Sequence, residues 1–269
     1  MRRIFTVLLA CLFTGLAHAQ SKPDTPRIKG NFHLYLLMGQ SNMVGRDLKG
    51  MDSQQENPRI LSLDAEGKWV IAKDPLHPKV GKIESGVGPG LTFATAMLKD
   101  ETDPNVVIGL IPCAVGGTPL KRWVKDGDLY KAAIERAKTA SKSGVIKGMI
   151  WHQGESDTEK PETADTYGTR LEGMIADLRK DLRQPELPIV VGQLGDFLAI
   201  SPKKFPHADT VKAAIKKIPD TVPHTGYADA AGLGHKGDKL HFSTEAEREF
   251  GTRFAQAMTA LQKAPTKKP

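Results

Sequence analysis

Four short apolar runs, at residues 32–38, 106–112, 146–151 and 189–191, are separated by segments whose apolar residues fall at helical spacing. Runs of that length, bounded by Gly, Pro or polar clusters, read as strands buried on both faces. The segments at 91–99, 129–143, 163–182 and 209–218 read as helices. Residues 244–261 read as a final helix, capped by Ser243 or Thr244, with Glu245 and Glu247 in its first turn. Strands alternating with helices predict an α/β protein, a three-layer α/β/α sandwich around a parallel sheet. In such a fold, ligands bind in the loops beyond the carboxyl ends of the strands. Residues 50–88 carry few periodic signals and read as an extended surface excursion, and 225–240 as a Gly-rich loop.

The ends of the chain read differently. Arg2 and Arg3, an apolar stretch over 4–16 and Ala17-His18-Ala19 before Gln20 have the form of a secretory signal peptide over 1–19. The expected protein is therefore secreted or periplasmic, without a membrane span after cleavage. Leu8-Leu9-Ala10-Cys11 offers a competing lipoprotein reading. The leader holds two Arg and no acid, so its removal takes the formal net charge from +7 to +5, a weak reason to expect nucleic acid. Cleavage leaves Cys113 alone, without a disulfide partner. It follows an apolar run and reads as a small buried hydrophobe rather than a nucleophile. With 39% hydrophobic and 26% charged residues and no break in composition, one domain over 20–262 is expected, followed by a flexible Lys/Pro tail over 263–269.

Polar clusters follow three of the strands. Gly39-Gln40-Ser41-Asn42-Met43 follows the first, Gly116-Gly117-Thr118 the second, and Trp151-His152-Gln153-Gly154-Glu155-Ser156-Asp157 the third. Asp238-Lys239-Leu240-His241 lies before the last helix. Together they hold the parts of serine esterase chemistry: Ser41 as nucleophile, His241 as base and Asp238 to orient the imidazole. Main-chain N–H groups of Ser41 and of Gly116 or Gly117, with the Gln153 amide, are candidate donors to the oxyanion.

Each piece has a plainer reading. Ser41 and Gly116-Gly117 suit turns, His241 a helix entry, His152 a hydrogen-bonded loop histidine, and Glu155 and Asp157 solvated acids or loop braces. Lys121, Arg122 and Trp123 suit a sugar site, and Trp123 equally the edge of the core. The order of the clusters along successive strands is what favours catalysis. An α/β-hydrolase elbow would need Gly where Met43 stands. Gly232-Leu233-Gly234-His235-Lys236-Gly237 fits a dinucleotide fingerprint but neither follows a strand nor opens a helix. The eight His are scattered and no H-E-x-x-H is present.

GQSNM, GVGPG (86–90), IPCAVGGT, WHQGESD and DKLHFS resemble the signature blocks of carbohydrate esterase family 6. That family is grouped with the sialate O-acetylesterase-like proteins of the SGNH/GDSL hydrolase superfamily. The resemblance implies a flavodoxin-like fold and removal of acetyl groups from sugars without metal or cofactor. It makes Ser41 the nucleophile, Asp238 and His241 the other triad members, and Gly117 (or Gly116) and Gln153 the oxyanion positions. Gln153 stands where the wider superfamily has Asn. Glu155, in the same block, is a supporting acid and the alternative triad acid. The implied partner is an acetylated carbohydrate, with xylan, sialic acid and other glycans all open. A carbohydrate-binding relative with little turnover is the alternative.

Overall fold

The computed structural model describes residues 26, 28–51 and 55–264. The expected leader, Cys11, the cleavage site after Ala19 and residues 265–269 of the expected tail lie outside the described residues. Lys263 is not part of a tail: it is the last residue of the final helix.

The apolar runs form strands β1 (Phe32–Gly39), β4 (Val107–Pro112), β5 (Val145–His152) and β6 (Ile189–Gly192). They pair in parallel, and β1 lies between β4 and β5. Residues 34–39 of β1 are buried, as a central strand covered on both faces must be. With β2 (Ile60–Leu63), β3 (Trp69–Ile71) and β7 (Thr225–Ala228) at the edges, the full sheet has the order β3-β2-β4-β1-β5-β6-β7. Without its β3-β2 edge, the remaining order is that of a flavodoxin-like sheet, with the switch in direction on either side of β1.

Two features of the edges differ from the sequence reading. The excursion over 50–88 contains β2 (Ile60–Leu63), fully buried and parallel to β4, and β3 (Trp69–Ile71), antiparallel to β2. The sheet is therefore mixed at that end. The loop read over 225–240 begins with a further parallel strand, β7 (Thr225–Ala228), paired with β6. Its Thr-Gly-Tyr-Ala sequence has no apolar run; the neighbouring strand supplies the order.

Between the strands lie α1 (Ser41–Val44), α2 (Gly90–Lys99), α3 (Asp128–Ala140), α4 (Pro161–Asp165), α5 (Tyr167–Asp181) and α6 (Ala208–Thr221), and α7 (Thr244–Lys263) ends the order. Right-handed crossovers put α3, α5 and α6 on one face, and α2 packs with α7 on the other. The single helix expected over 163–182 is two. Pro161 starts α4, and the chain turns out of helix at Thr166 (φ −95°, ψ 0°) before α5 begins. Ser243 is the cap of α7, its Oγ accepting the Ala246 N–H at 3.3 Å, but Glu247 of the first turn is buried rather than solvated. One apolar core runs through both layers, and each large side chain buried there contributes about 1.5–3 kcal/mol.

Candidate active site

Gly39 ends β1 with φ 140°, and a methyl group there would meet the His152 carbonyl oxygen at 2.0 Å. Only glycine lets β1 turn this tightly against β5. The turn delivers Ser41 at the carboxyl ends of β1, β4 and β5, where the direction of the sheet switches. From the far end of the chain, the loop before α7 brings His241 over it. Nε2 of His241 lies 3.0 Å from Ser41 Oγ, and Nδ1 lies 2.7 Å from Asp238 Oδ2.

That loop is built to hold the pair. Asp238 Oδ1 accepts the N–H groups of Leu240 (3.0 Å) and His241 (2.8 Å), leaving Oδ2 for the ring. Lys239 takes a left-handed φ of 59°, and the Lys236 N–H closes onto the His241 carbonyl. The G-x-G-x-x-G stretch is part of this loop, folded around the His235 ring, whose Nδ1 accepts the Gly237 N–H. Burial by itself would raise the Asp238 carboxyl. Hydrogen bonds from the His241 and Leu240 main chain and from the His241 ring outweigh it and hold the group at about 2. The His241 ring is below its ordinary value, chiefly through burial. Asp238 opposes that shift, and the charges of Arg46 and Lys236 add to it. An acceptor on Nδ1 and a neutral ring leave Nε2 able to take a proton from Ser41.

Asn42 fastens the two ends of the site together. Its Nδ2 donates to Glu155 Oε1 (2.6 Å) and to the Leu240 carbonyl (3.2 Å), and its Oδ1 accepts the Phe242 N–H (3.1 Å). The neighbours of His241 on either side are thus tied to the neighbour of Ser41. Glu155 makes no hydrogen bond to His241 among the described residues. Burial pushes its carboxyl up to about 7 against the Asn42 hydrogen bond, and Oε2 has no hydrogen-bond partner among the described residues. As alternative partner for His241 it is not in place.

The Gln153 amide is fully buried, and its nitrogen faces three acceptors: Asp157 Oδ2 (2.7 Å), Thr118 O (3.1 Å) and Gln40 Oε1 (3.1 Å). Two amide hydrogens are already claimed by the protein, so the expected free oxyanion donor is absent at this residue. Asp157 is no solvated acid. It is fully buried and braces three segments, accepting from Leu120 N–H, Gln153 and Arg170. Gly116 and Gly117 have main-chain N–H groups with no partner among the described residues. A methyl on Gly116 would meet Ser41 Cβ at 3.5 Å and Arg46 Nη2 at 1.9 Å, so the loop after β4 lies directly against Ser41.

Three other expectations resolve toward structure. Trp123 is wholly buried, its Nε1 donating to Thr118 Oγ1 and its ring edge-on to Trp151, so it covers the core and does not line the site. Arg122 pairs with Asp128 at the surface, and Lys121 is exposed. His152 ends β5 rather than lying in a loop. It is buried among Phe242, Phe250 and Phe254, with Nε2 on the Gln193 carbonyl and its ring pushed down to about 4 by burial. Cys113 is half-buried against the core, and burial pushes its thiol up to about 12, against a nucleophilic role.

Arg46 and Asn42 lie at this site, and the sequence reading assigned neither a role. Both stand at or just beyond the block around Ser41, which is the one signal that could have found them.

A family model described as "carbohydrate esterase, sialic acid-specific acetylesterase" matches residues 31–260. A probable carbohydrate esterase of Arabidopsis thaliana is 34% identical over 257 residues, covering 87% of this chain and 94% of that protein. The crystal structure of that Arabidopsis protein superposes with a TM-score of 0.76 at 33% identity, over 86% of this chain and 98% of its own. The crystal structure of NanS shares the fold at a TM-score of 0.70 and 18% identity, over 87% and 99% of the two chains. A carbohydrate acetylesterase from Xanthomonas citri does so at 0.62 and 19%, over 86% of this chain and 56% of its own. These similarities support carbohydrate acetylesterase activity. The chain belongs to the family of carbohydrate esterases described as sialic acid-specific acetylesterases.

Proposed function

We propose that this protein is an exported serine esterase that removes O-acetyl groups from carbohydrates through an acyl-enzyme on Ser41. The observation that carries this reading is the unbroken chain of hydrogen bonds from Asp238 through His241 to Ser41 Oγ.

In the proposed first step Ser41 Oγ bonds to the acetyl carbon while its proton passes to His241 Nε2. The carbonyl π pair moves onto oxygen. The resulting imidazolium is stabilised by Asp238, which stays ionised at about 2. Main-chain N–H groups of Ser41 and of Gly116 or Gly117 face the developing oxyanion. Collapse breaks the bond to the sugar oxygen, which takes the proton from His241. Water, deprotonated by the same ring, then releases acetate. Gln153 acts in this scheme through Gln40, holding the residue before Ser41, rather than by touching the oxyanion.

Export rests on the Arg2-Arg3, apolar and A-x-A pattern, and N-terminal sequencing that finds Gln20 first would support it. Catalysis is tested with purified protein on 4-nitrophenyl acetate. Turnover that disappears in Ser41→Ala, and that falls for octanoyl relative to acetyl esters, supports the reading. Binding of acetylated glycans without turnover would replace it with a carbohydrate-binding role.

A further inference from the structure

Arg46 is a half-buried cation that pairs with no acid among the described residues. Its Nη1 donates to the Glu84 carbonyl at 2.7 Å, which straps the side chain down. Nε and Nη2 have no hydrogen-bond partner among the described residues, and no carboxylate forms an ion pair with the group. The strap sets Nη2 on Gly116, in the space a Cβ would fill, and that same space borders Ser41 Cβ. Any side chain at Gly116 would displace the guanidinium. The charge also reaches His241, whose protonation it disfavours. A cation held this way, against the loop that carries unpaired N–H groups and close to Ser41, has a desolvation cost that the Glu84 carbonyl offsets only in part. Negative charge arriving during the reaction would offset it. Meanwhile Gln153, the residue from which a third donor was expected, is occupied on all sides.

We propose that Arg46 is a catalytic residue, its free Nη2 donating to the acyl oxygen as that atom becomes an oxyanion on Ser41. This rests on the serine esterase reading above. As Ser41 Oγ bonds to the acyl carbon, the π pair becomes localised on oxygen, and the guanidinium and the main-chain N–H groups share that charge. When the C–O bond to the sugar breaks, the pair returns to the carbonyl and Arg46 is again unpaired. No proton leaves Arg46 at any point.

The test compares wild type, Arg46→Gln, Arg46→Lys and Arg46→Ala on neutral 4-nitrophenyl acetate and on an O-acetylated sugar that bears a carboxylate, with thermal melts of each. The expected result is a fall in kcat of about 10²-fold for Arg46→Gln on both substrates, with KM within about twofold and an unchanged melting temperature. Millimolar guanidinium should restore part of the turnover of Arg46→Ala, and Arg46→Lys should retain more than Arg46→Gln. Retention of kcat within about threefold in Arg46→Gln overturns the proposal. So does a loss confined to KM for the carboxylate-bearing substrate, which would make Arg46 a substrate anchor. A loss that follows a lowered melting temperature and is not rescued by guanidinium assigns Arg46 a merely structural strap and also overturns it. Wild-type protein with no turnover on either ester overturns the esterase reading itself, an outcome distinct from an active wild type matched by an active Arg46→Gln.

Discussion

Asn42 donates from Nδ2 to Glu155 Oε1 across 2.6 Å, and both side chains are buried. The same amide holds Leu240 and Phe242 on its other side, so Glu155 is connected to the His241 loop through Asn42.

That relationship separates the two acids of the site. Asp238→Asn keeps the shape but favours the wrong imidazole tautomer, so kcat/KM is expected to fall by up to about 10⁴-fold. Glu155→Gln loses a charge and keeps a group able to accept from Asn42, and is expected to cost about tenfold or less. Steady-state kinetics on 4-nitrophenyl acetate measure both. A nearly inactive Glu155→Gln beside an active Asp238→Asn would reverse the assignment.

The pH dependence of stability tests Glu155 in another way. Its folded-state carboxyl lies at about 7 against an ordinary 4.5, so the folded protein holds this proton more tightly than the unfolded chain. The stabilisation from this group is complete below pH 4.5 and is lost as pH rises through 7. The melting temperature of Glu155→Gln relative to wild type should therefore increase between pH 4.5 and 8. A difference that is flat or decreasing across that window would contradict the buried, proton-holding carboxyl.

Activity follows a second titration. In the proposed mechanism turnover needs a neutral His241, whose ring sits below its ordinary 6.5. The acid limb of kcat/KM should have its midpoint below pH 6.5, with full activity at neutrality. A midpoint at or above 6.5 would show that Asp238 outweighs burial and the charges of Arg46 and Lys236.

For Gln153→Ala the hydrogen bonds predict a mixed result. Asp157, Thr118 and Gln40 each lose a donor in a dry interior, which should cost about 1–3 kcal/mol of stability in urea unfolding. Activity should fall with it through the loosened Gln40-Ser41 turn. Loss of kcat with full stability would return Gln153 to the oxyanion.

Metal removal provides a further check. The proposed mechanism takes its base and its oxyanion donors from the protein and has no step for a divalent ion, so EDTA should leave turnover unchanged. Loss on chelation, with recovery on adding a divalent cation, would contradict this.

What the sequence displayed and what it hid follow from the distance over which each feature is decided. The central strands were legible because burial on both faces writes a continuous apolar run, and Ser41 stood out through the polar cluster just beyond the first of them; Asp238 and His241 follow no apolar run, and only their spacing and the resemblance drew them in. β7 was not legible, since its four residues become a strand only by pairing with β6. The β2-β3 edge was hidden similarly, in a stretch whose order comes from β4. The expected role of Gln153 came from its place in a motif, whereas its partners are set by Gln40, Thr118 and Asp157. Asn42 and Arg46 depend on residues far along the chain or on a loop with no periodic pattern, and local sequence has no record of either contact.

Ser41 and His241 are separated by 200 residues of chain, and Asn42 joins Phe242 across the same span. A ribosome releases Ser41 long before His241, so under the proposed mechanism every intermediate of synthesis is hydrolytically silent. Turnover then reports a finished molecule. A chain cut in a surface loop between the two ends should be inert as either fragment and regain esterase activity only when both are mixed, which makes the enzyme a natural candidate for a complementation reporter.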